Sequence, residues 1–314
     1  MMMTSAIHVA GLEKSYGSTT AVAGIDLDVH RGELFGFLGP NGAGKSSAVK
    51  VLCTLTDPTA GTAVVAGHDV RTERHHVRRR IGTVFQESTL DIFLSAEQNL
   101  RFHGELHGLQ RRTLRHRIDE VLDFVGLTKR RHDPVLSLSG GMKRKLEIGR
   151  GLLHTPEVLF LDEPTVGLDP HTRASVWEYI ATLRDAWNVT VFVTTHYLDE
   201  AEHCDRIAIM NEGRIVALDT PDALKNTVGA DRVRLRTEDD AAAVTRLRDS
   251  FGVDAAIHDG SVTFAIADGG AFVPRLFEHL DVAVETVTVT RPSLDDVFMA
   301  YTGRTITTPE GAAR

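Results

Sequence analysis

The chain has 314 residues, of which 42% are hydrophobic, enough for one large domain and a small one. Its net charge of −8 argues against nucleic acid as a partner. No apolar run reaches the roughly 18 residues of a membrane span, and the start of the chain lacks the features of a secretory signal. Two cysteines, Cys53 and Cys204, without a C-x-x-C pattern favour a reduced, cytosolic chain. We interpret the scattered histidines as solvated surface rather than as a metal site.

The first elements are two strands, over residues 7–12 and 22–29, separated by a polar loop that contains Tyr16. A lone aromatic residue in such a loop can pack partly on the core, or it can stack on an adenine ring if a phosphate site follows. Further on, residues 69–80 form a charged segment with helical character. We interpret its arginines as a solvated helix face and not as a nucleic-acid site.

A glycine-rich stretch follows the apolar strand at residues 34–38 and precedes a helix that continues over residues 48–52. It fits the pattern G-x-x-x-x-G-K-[ST], whose glycines let backbone N–H groups curl around phosphate oxygens. Lys45 can reach the outer phosphates, and the hydroxyl of Ser46 can ligate Mg²⁺. A glycine-rich turn with a surface lysine is the alternative, but the strand before and the helix after favour a nucleotide site. The residues of this P-loop are Gly39, Pro40, Asn41, Gly42, Ala43, Gly44, Lys45, Ser46 and Ser47.

The middle of the chain predicts a second place where a helix start can bind an anion. The strand at residues 81–85 ends at Gln86, and residues 96–125 have a helical pattern. Residues 138–142 then open a helix that extends to about Leu153. Its serine and glycines at a helix N-terminus can bind a phosphate.

Two acids end the next apolar strand, which covers residues 158–163. Asp162 lies where a P-loop enzyme holds Mg²⁺, and Glu163 beside it can position and deprotonate a water. Such a pair can also cap a helix, and Pro164 fits a helix start. A helix over 171–186, a strand over 190–195 that ends at His196, and a hairpin over 206–217 complete this part.

The last third of the chain changes pattern after Pro221. Strands and helices alternate in the order β-α-β-β-α-β between residues 232 and 290, with a turn at Asp259 and Gly260. This order predicts a small ferredoxin-like α+β domain. A helix over residues 293–301 and a polar tail follow. No catalytic constellation is visible here, and a role in regulation or dimer contact is a hypothesis.

In their order along residues 6–226, these motifs together resemble the ATP-binding subunit of an ABC transporter. Residues 39–47 look like its Walker A loop, 138–142 like its LSGG signature and 158–163 like its Walker B strand. The resemblance implies an α/β P-loop fold with a RecA-like core, an antiparallel β subdomain and a helical subdomain. We expect an ATP-binding domain over residues 5–228, the small domain over 229–304 and a flexible tail over 305–314.

The resemblance also implies roles for individual residues and the cofactors ATP and Mg²⁺. The expected catalytic residues are Lys45, Gln86, Glu163 and His196, and the expected metal ligands are Ser46, Gln86 and Asp162. Nucleotide contacts are expected from the P-loop, from Tyr16 on adenine, from Ser139, Gly140 and Gly141 of a second subunit, and from Asp169. Such subunits sandwich two ATP molecules in a head-to-tail dimer, here a homodimer or a pair with a sister subunit.

Three features are similar to the ABC-2 exporter branch, and within it to the daunorubicin/doxorubicin-resistance type of ATPase. They are Met142, where many members have glutamine, and the stretches 196–202 and 292–298. This branch implies a separate ABC-2 transmembrane permease and a peripheral location on the cytoplasmic face of the cell membrane. No nucleic-acid partner is expected, and the cargo is not readable from the sequence.

Two other functions share the catalytic motifs. Soluble ABC ATPases that act on ribosomes or DNA typically carry two cassettes or long coiled-coil arms, and this chain has one Walker A and no sustained heptads. An importer ATPase is the nearer alternative, and the branch-like features favour export over it.

Overall fold

The computed structural model describes residues 5–258 and 260–303, and the contacts within it divide the chain into two units. The first unit ends at Thr220 and the second begins at Pro221. The expected turn residue Asp259 and the expected tail, 305–314, lie outside the described residues.

The first unit contains ten strands and seven α-helices among its described residues. The strands are β1 (Ser5–Tyr16), β2 (Thr19–His30), β3 (Leu34–Leu38), β4 (Ala60–Val65), β5 (His68–Asp69), β6 (Ile81–Val84), β7 (Val158–Asp162), β8 (Thr190–Thr195), β9 (Arg206–Asn211) and β10 (Arg214–Asp219). The helices are α1 (Lys45–Leu52), α2 (Arg74–Arg80), α3 (Ala96–Leu106), α4 (Arg111–Phe124), α5 (Gly140–Gly151), α6 (Pro170–Trp187) and α7 (Leu198–Ala201), with short 3₁₀ turns at Thr128–Arg130 and Val135–Ser137.

A six-stranded sheet forms the centre of this unit, with the order β10-β9-β3-β8-β7-β6. All neighbours pair in parallel except β10, which forms an antiparallel hairpin with β9. Every residue of β3, β7 and β8 is buried, as expected for parallel strands covered on both faces. The rings of Phe35, Phe160 and Phe192 from these strands pack together in the core.

A second, antiparallel sheet has the order β2-β1-β4-β5. Its buried residues, such as Ile7, Val9, Ile25 and Val29, join one apolar core with residues of the central sheet and α1. The antiparallel sheet therefore covers the side of the central sheet where the P-loop helix lies.

The helical pattern over residues 96–125 is two helices rather than one continuous segment. The first of them, α3, ends before Gly108, which adopts a φ of 71°. This backbone conformation cannot continue an α-helix. The charged segment at 69–80 is also helical only in its second half. Asp69 accepts hydrogen bonds from the N–H groups of Arg71 and Thr72, which forms a turn before α2.

The second unit has the ferredoxin-like order that the sequence predicts. Its four strands form an antiparallel sheet with the order β12-β13-β11-β14, and one apolar core joins the sheet to two helices. Its elements are α8 (Pro221–Val228), β11 (Asp231–Thr237), α9 (Asp240–Phe251), β12 (Ala255–His258), β13 (Ser261–Ile266), α10 (Gly269–His279), β14 (Val284–Thr290) and α11 (Leu294–Thr302). This unit starts earlier than the expected boundary at 229, because α8 packs against α11.

Among the described residues, no helix has both the length and the apolar character needed to cross a membrane.

Candidate nucleotide-binding site

Four neighbouring parallel strands bring the candidate site residues to one edge of the central sheet. In the order β3-β8-β7-β6, they lead into the P-loop, His196, Glu163 and Gln86 respectively. The carboxyl ends of parallel strands meet at one edge, which is where α/β sheets place their ligand sites. Residues that are more than 100 positions apart in the chain therefore meet through sheet order alone.

The P-loop conformation requires glycine at two positions because other backbone segments approach it closely. A Cβ atom on Gly39 would lie 2.4 Å from the carbonyl oxygen of Met210. One on Gly44 would lie 2.1 Å from the carbonyl oxygen of Ala21, and Gly44 also has a φ of 107°. The loop is thus fixed between the β9–β10 hairpin and the antiparallel sheet, and α1 begins directly after it.

Lys45 is buried at the start of α1, with 4% of its surface exposed. Its ammonium group donates hydrogen bonds to the carbonyl oxygens of Gly39 at 2.6 Å and Pro40 at 3.2 Å. Its Nζ also lies 3.4 Å from Oε1 of Glu163. Burial lowers the pKa of Lys45, while the charges of Glu163 and Asp162 act in the opposite direction. A buried cation inside a P-loop is suited to binding a phosphate anion.

Asp162 lies at the end of β7 among hydroxyl groups. Thr194 donates a hydrogen bond of 2.5 Å to its Oδ1, and the Oγ of Ser46 lies 3.4 Å from the same oxygen. A carboxylate and a hydroxyl at this distance form an oxygen donor set, which is the kind that Mg²⁺ prefers. These residues therefore fit a magnesium ion.

Glu163 has a left-handed backbone, with a φ of 46°, which costs a non-glycine residue on the order of 1–3 kcal/mol. Its N–H group donates to both the hydroxyl and the carbonyl oxygen of Thr194, which holds the turn in place. Its side chain is only 8% exposed. Burial raises the pKa of Glu163, but contacts with His196 and Lys45 outweigh this and hold it below its ordinary value. Glu163 is therefore ionised at neutral pH.

His196 completes this group from the end of β8 and is 6% exposed. Its Nδ1 lies 3.3 Å from Oε1 of Glu163, but this buried nitrogen has no partner with hydrogen-bond geometry. The ring packs on Tyr197, with 4.1 Å between ring centroids. An acid, a lysine and a histidine with an unpaired nitrogen thus share one buried point beside the P-loop.

The cleft at this edge has a volume of about 320 Å³. Its lining consists of Ala21, Asn41, Gly42, Gly44, Lys45, Ser46, Ser47, Gln86 and Glu163. Gln86 is exposed and reaches the cleft from the loop after β6. Tyr16 is not part of this lining; its ring is 47% exposed at the end of β1, with the Nζ of Lys14 at 4.8 Å from its centroid.

The signature stretch and Asp169 also lie outside the lining of the cleft. Ser139 caps α5 by accepting a hydrogen bond from the N–H of Met142, and it is exposed together with Gly140. Asp169 caps α6 and accepts a hydrogen bond from the N–H of Thr172 at 3.0 Å. A Cβ atom on Gly141 would lie 2.7 Å from the methyl group of Thr172, so the two helix starts pack closely. Within one chain, the two candidate anion sites are separate.

Sequence reasoning missed Arg144, which is buried in α5 just after the signature stretch. Its guanidinium donates to the carbonyl oxygens of Pro164 at 2.6 Å and Phe85 at 2.9 Å, and to the carboxylate of Glu147 at 3.0 Å. Phe85 precedes Gln86 and Pro164 follows Glu163. Arg144 thus ties the signature helix to two of the strand ends that form the site. An arginine in the second turn of a helix gives no sequence signal for such contacts.

A sheet of mainly parallel strands with a P-loop, a buried lysine and two consecutive acids at the end of a neighbouring strand defines a P-loop ATPase. The family model for ABC transporters matches residues 22–166, and a model for the C-terminal domain of DrrA1-3-like ATP-binding proteins matches residues 220–302. The chain belongs to the ATP-binding subunits of ABC transporters, binds ATP and is an ATPase.

Similar proteins align with nearly the whole chain. The daunorubicin resistance ATP-binding protein DrrA3 of Streptomyces coeruleorubidus is 42% identical over 96% of this chain and 97% of its own length. The linearmycin resistance ATP-binding protein LnrL of Bacillus subtilis is 35% identical over 96% of this chain and 99% of its own length.

Two solved structures superpose on about two thirds of the chain. A cbiO1 subunit from Clostridium perfringens, part of the ABC transporter complex cbiONQ, superposes with a TM-score of 0.66 and 29% identity, covering 70% of this chain and 90% of its own. A dimeric ATP-binding cassette, MJ0796, bound to ADP and Pi gives 0.61 and 26%, covering 68% and 98%.

Proposed function

We propose that this chain is the ATP-hydrolysing motor of an exporter that moves a hydrophobic, drug-like compound through a separate ABC-2 permease. The observation that carries this proposal is the full-length similarity to proteins named for resistance to daunorubicin and linearmycin. The chain would bind to its permease at the cytoplasmic face of the cell membrane. The same similarity extends over the second unit, which favours this branch over an importer.

The geometry of the cleft supports a division of labour among its residues. The P-loop and Lys45 would hold the phosphates, and Ser46, Asp162 and Gln86 would hold Mg²⁺, whose charge helps to neutralise the phosphate oxygens. Glu163, ionised and close to Lys45, would accept a proton from the attacking water. His196 would offer its unpaired Nδ1 to the γ-phosphate or to that water.

A second copy of the chain would supply the remaining phosphate contacts. The signature stretch has an exposed helix N-terminus that does not line the cleft of its own chain, and it has no lysine of its own. Opposed head to tail, Ser139, Gly140, Gly141 and Asp169 of one copy would face the P-loop of the other. The γ-phosphate would then join both copies, and its hydrolysis would remove the interaction that closes the dimer.

This dimer can be tested by measuring molar mass in solution. The Glu163→Gln variant with MgATP should elute as a dimer, and the additional change Ser139→Arg should return it to a monomer because a bulky cation then blocks the interface. A Lys143→Ala change, one turn along the same helix, serves as the control. A Glu163→Gln chain that stays monomeric with saturating MgATP would contradict the sandwich.

The permease would bind the exposed apolar surface that follows Gln86 in the chain. Phe93, Phe102 and Leu106 are 80%, 60% and 70% exposed, and the groove of about 430 Å³ beside them is also lined by Phe85. Exposed apolar groups of this kind mark protein contacts. Gln86 lines the nucleotide cleft and also lies in the loop between β6 and α3 that carries Phe93. A movement of Gln86 when the phosphates change would therefore be transmitted to the permease.

Transport in inverted membrane vesicles tests the proposed function. Vesicles that contain the permease and this chain should accumulate a fluorescent anthracycline when MgATP is added, and Glu163→Gln should abolish the accumulation. Phe102→Ser should weaken it without changing the hydrolysis rate of the isolated chain. ATP-driven loss of the compound from preloaded inverted vesicles would instead indicate import.

A further inference from the structure

Three histidines that are far apart in the sequence meet at one place in the first unit. His103 lies in α3, His107 caps its end one helical turn later, and His154 follows α5. Each offers one ring nitrogen, and these three nitrogens lie within 4.8 Å of one another. The rings of His107 and His154 are stacked, with centroids 3.9 Å apart. Our interpretation of the histidines as solvated surface is therefore wrong for His103 and His154, which are only partly exposed.

The proton on His154 is placed by a backbone group. Its Nε2 lies 2.8 Å from the carbonyl oxygen of Ile81, which can only accept, so Nε2 carries the hydrogen. Its Nδ1 is buried and has no hydrogen-bond partner. In metal sites, a ligating histidine donates its other N–H to a carbonyl or carboxylate in this way. His154 is thus already in the tautomer that leaves Nδ1 available to bind a metal ion.

The spacing of His103 and His107 and the protonation state of the buried rings also suit a metal site. His103 and His107 are four residues apart and so lie on one face of a helix. Burial, together with the charge of Arg150, lowers the pKa of His103 to about 3, and burial lowers that of His154 to about 4. Both rings are neutral at pH 7, which is the form that binds metals.

We propose that His103, His107 and His154 form a binding site for a divalent transition metal ion of the zinc class. Imidazole ligands suit Zn²⁺, Cu²⁺ and Ni²⁺, whereas Mg²⁺ and Ca²⁺ prefer oxygen. Zn–N bonds of ~2.0–2.1 Å at a tetrahedral angle place two nitrogens about 3.3 Å apart, so the three rings must close in slightly. His107 is exposed and can make this movement. The fourth position would be open to solvent.

Two cationic side chains line the surroundings of the cluster and limit its affinity. Arg78 lines the same cavity, but its guanidinium donates to the hydroxyl and carbonyl oxygens of Thr54. Arg150 donates to the carbonyl oxygen of Thr89 at 2.9 Å and lies 3.7 Å from the carboxylate of Glu147. Because the positive charge of Arg150 acts on His103 and would repel a bound cation, the site should bind Zn²⁺ more weakly than a closed structural zinc site does.

The direct test is Zn²⁺ binding to the full, untagged, chelator-stripped chain without nucleotide, measured by competition with a chromophoric chelator. We expect one Zn²⁺ per chain, and His107→Gln should weaken binding at least ~10-fold, because losing even an outer-shell partner of a metal ligand has an effect of this size. His116→Gln, at an exposed histidine on α4, should bind like the unchanged chain. Because His107 is exposed, its replacement should leave the fold intact, which circular dichroism checks.

A second measurement separates this site from the nucleotide cleft. Co²⁺ should give the intense visible absorption of a tetrahedral nitrogen site, and excess Mg²⁺ should not remove that absorption. Asp162→Asn should leave the absorption unchanged, and His103→Gln should abolish it. The proposal is overturned if Zn²⁺ binds without a defined ratio of metal to protein. It is also overturned if Zn²⁺ binding is lost in Asp162→Asn and kept in His107→Gln and His103→Gln.

Discussion

The two units of the chain differ in what they bury. The first unit buries Lys45, Asp162, Glu163 and His196 at adjoining strand ends, and Arg144 with Glu147 beside them. The core of the second unit is apolar, built from residues such as Val233, Leu235, Leu247, Val262 and Leu276. Its buried polar side chains among the described residues are Asp231 and Thr237, and each is paired with a neighbouring backbone or side-chain group.

This difference separates groups that do chemistry from groups that hold a fold. Burying a charge costs several kcal/mol unless partners compensate for it, so a chain gains little stability from such groups. In the first unit the buried charges of Lys45, Asp162 and Glu163 meet beside one cleft, whereas in the second unit the paired polar groups close a helix start and a turn. The second unit therefore fits the hypothesis of a regulatory or dimer-contact domain better than that of a second catalytic centre.

The largest expected effect comes from Glu163→Gln. If Glu163 accepts the proton from water, the variant should hydrolyse ATP about 10²–10⁴-fold more slowly, because the amide cannot act as a base. Binding of MgATP should persist, since the lysine and the P-loop remain. Steady-state hydrolysis and nucleotide binding measured on the same preparation separate the two effects.

Glu87, an exposed acid that follows Gln86, provides the matched control for this change. Glu87→Gln removes the same charge from the loop after Gln86 but lies on the surface. It should leave hydrolysis close to normal. Near-normal turnover of Glu163→Gln would refute the proposed role of Glu163.

Arg144→Ala should have the largest effect on stability. The change removes the buried cationic partner of Glu147 and the donor to the carbonyl oxygens of Phe85 and Pro164, and breaking a buried ion pair costs about 3–5 kcal/mol. The free energy of unfolding of the first unit, measured by urea titration of the chain, reports this loss of stability. Lys143→Ala, at the preceding position of the same helix, should cost far less. Equal stabilities of the two variants would show that the contacts of Arg144 contribute nothing.

Lys45→Ala should lower ATP affinity by about 1.5–3 kcal/mol, the scale of a hydrogen bond to a charged group. The phosphates lose their close cation, although the backbone N–H groups of the loop remain. Titration with a fluorescent ATP analogue gives the affinity. Lys50→Ala, on the exposed side of the same helix, should bind normally, and unchanged affinity in Lys45→Ala would count against the site.

Asp231→Ala should have the smallest effect and should confine it to the second unit. Asp231 accepts a hydrogen bond of 2.9 Å from the N–H of Gly269 at the start of α10, and losing a buried partner costs about 1–3 kcal/mol. ATP affinity and hydrolysis by the isolated chain should not change. Differential scanning calorimetry and hydrolysis assays test both parts, with the fully exposed Asp254 as the alanine control.

The sequence predicts those elements and site residues that have a recognisable residue pattern within a short stretch of the chain. Apolar runs, glycine spacing and acids at strand ends place the P-loop, Asp162, Glu163 and His196 on elements whose order the sheet then brings together. The ferredoxin-like order of the second unit follows from the same alternation. The resemblance to a family supplied the roles, since an acid pair alone is also a plausible helix cap.

What the sequence does not predict depends on contacts between distant segments. The guanidinium of Arg144 reaches Phe85 and Pro164 only because α5 packs beside β6 and β7. The cluster of His103, His107 and His154 depends on where α3 lies against the end of α5. The short strand β5 has too few residues for a periodic pattern to be detected.

The most direct test of the account compares ATP hydrolysis by the purified chain alone and in lipid vesicles with its permease, each with unchanged Glu163 and with Glu163→Gln. We expect the permease to raise the rate and the substitution to abolish it in both settings. A rate that is the same with and without the permease would contradict the proposal that this ATPase is a transporter motor.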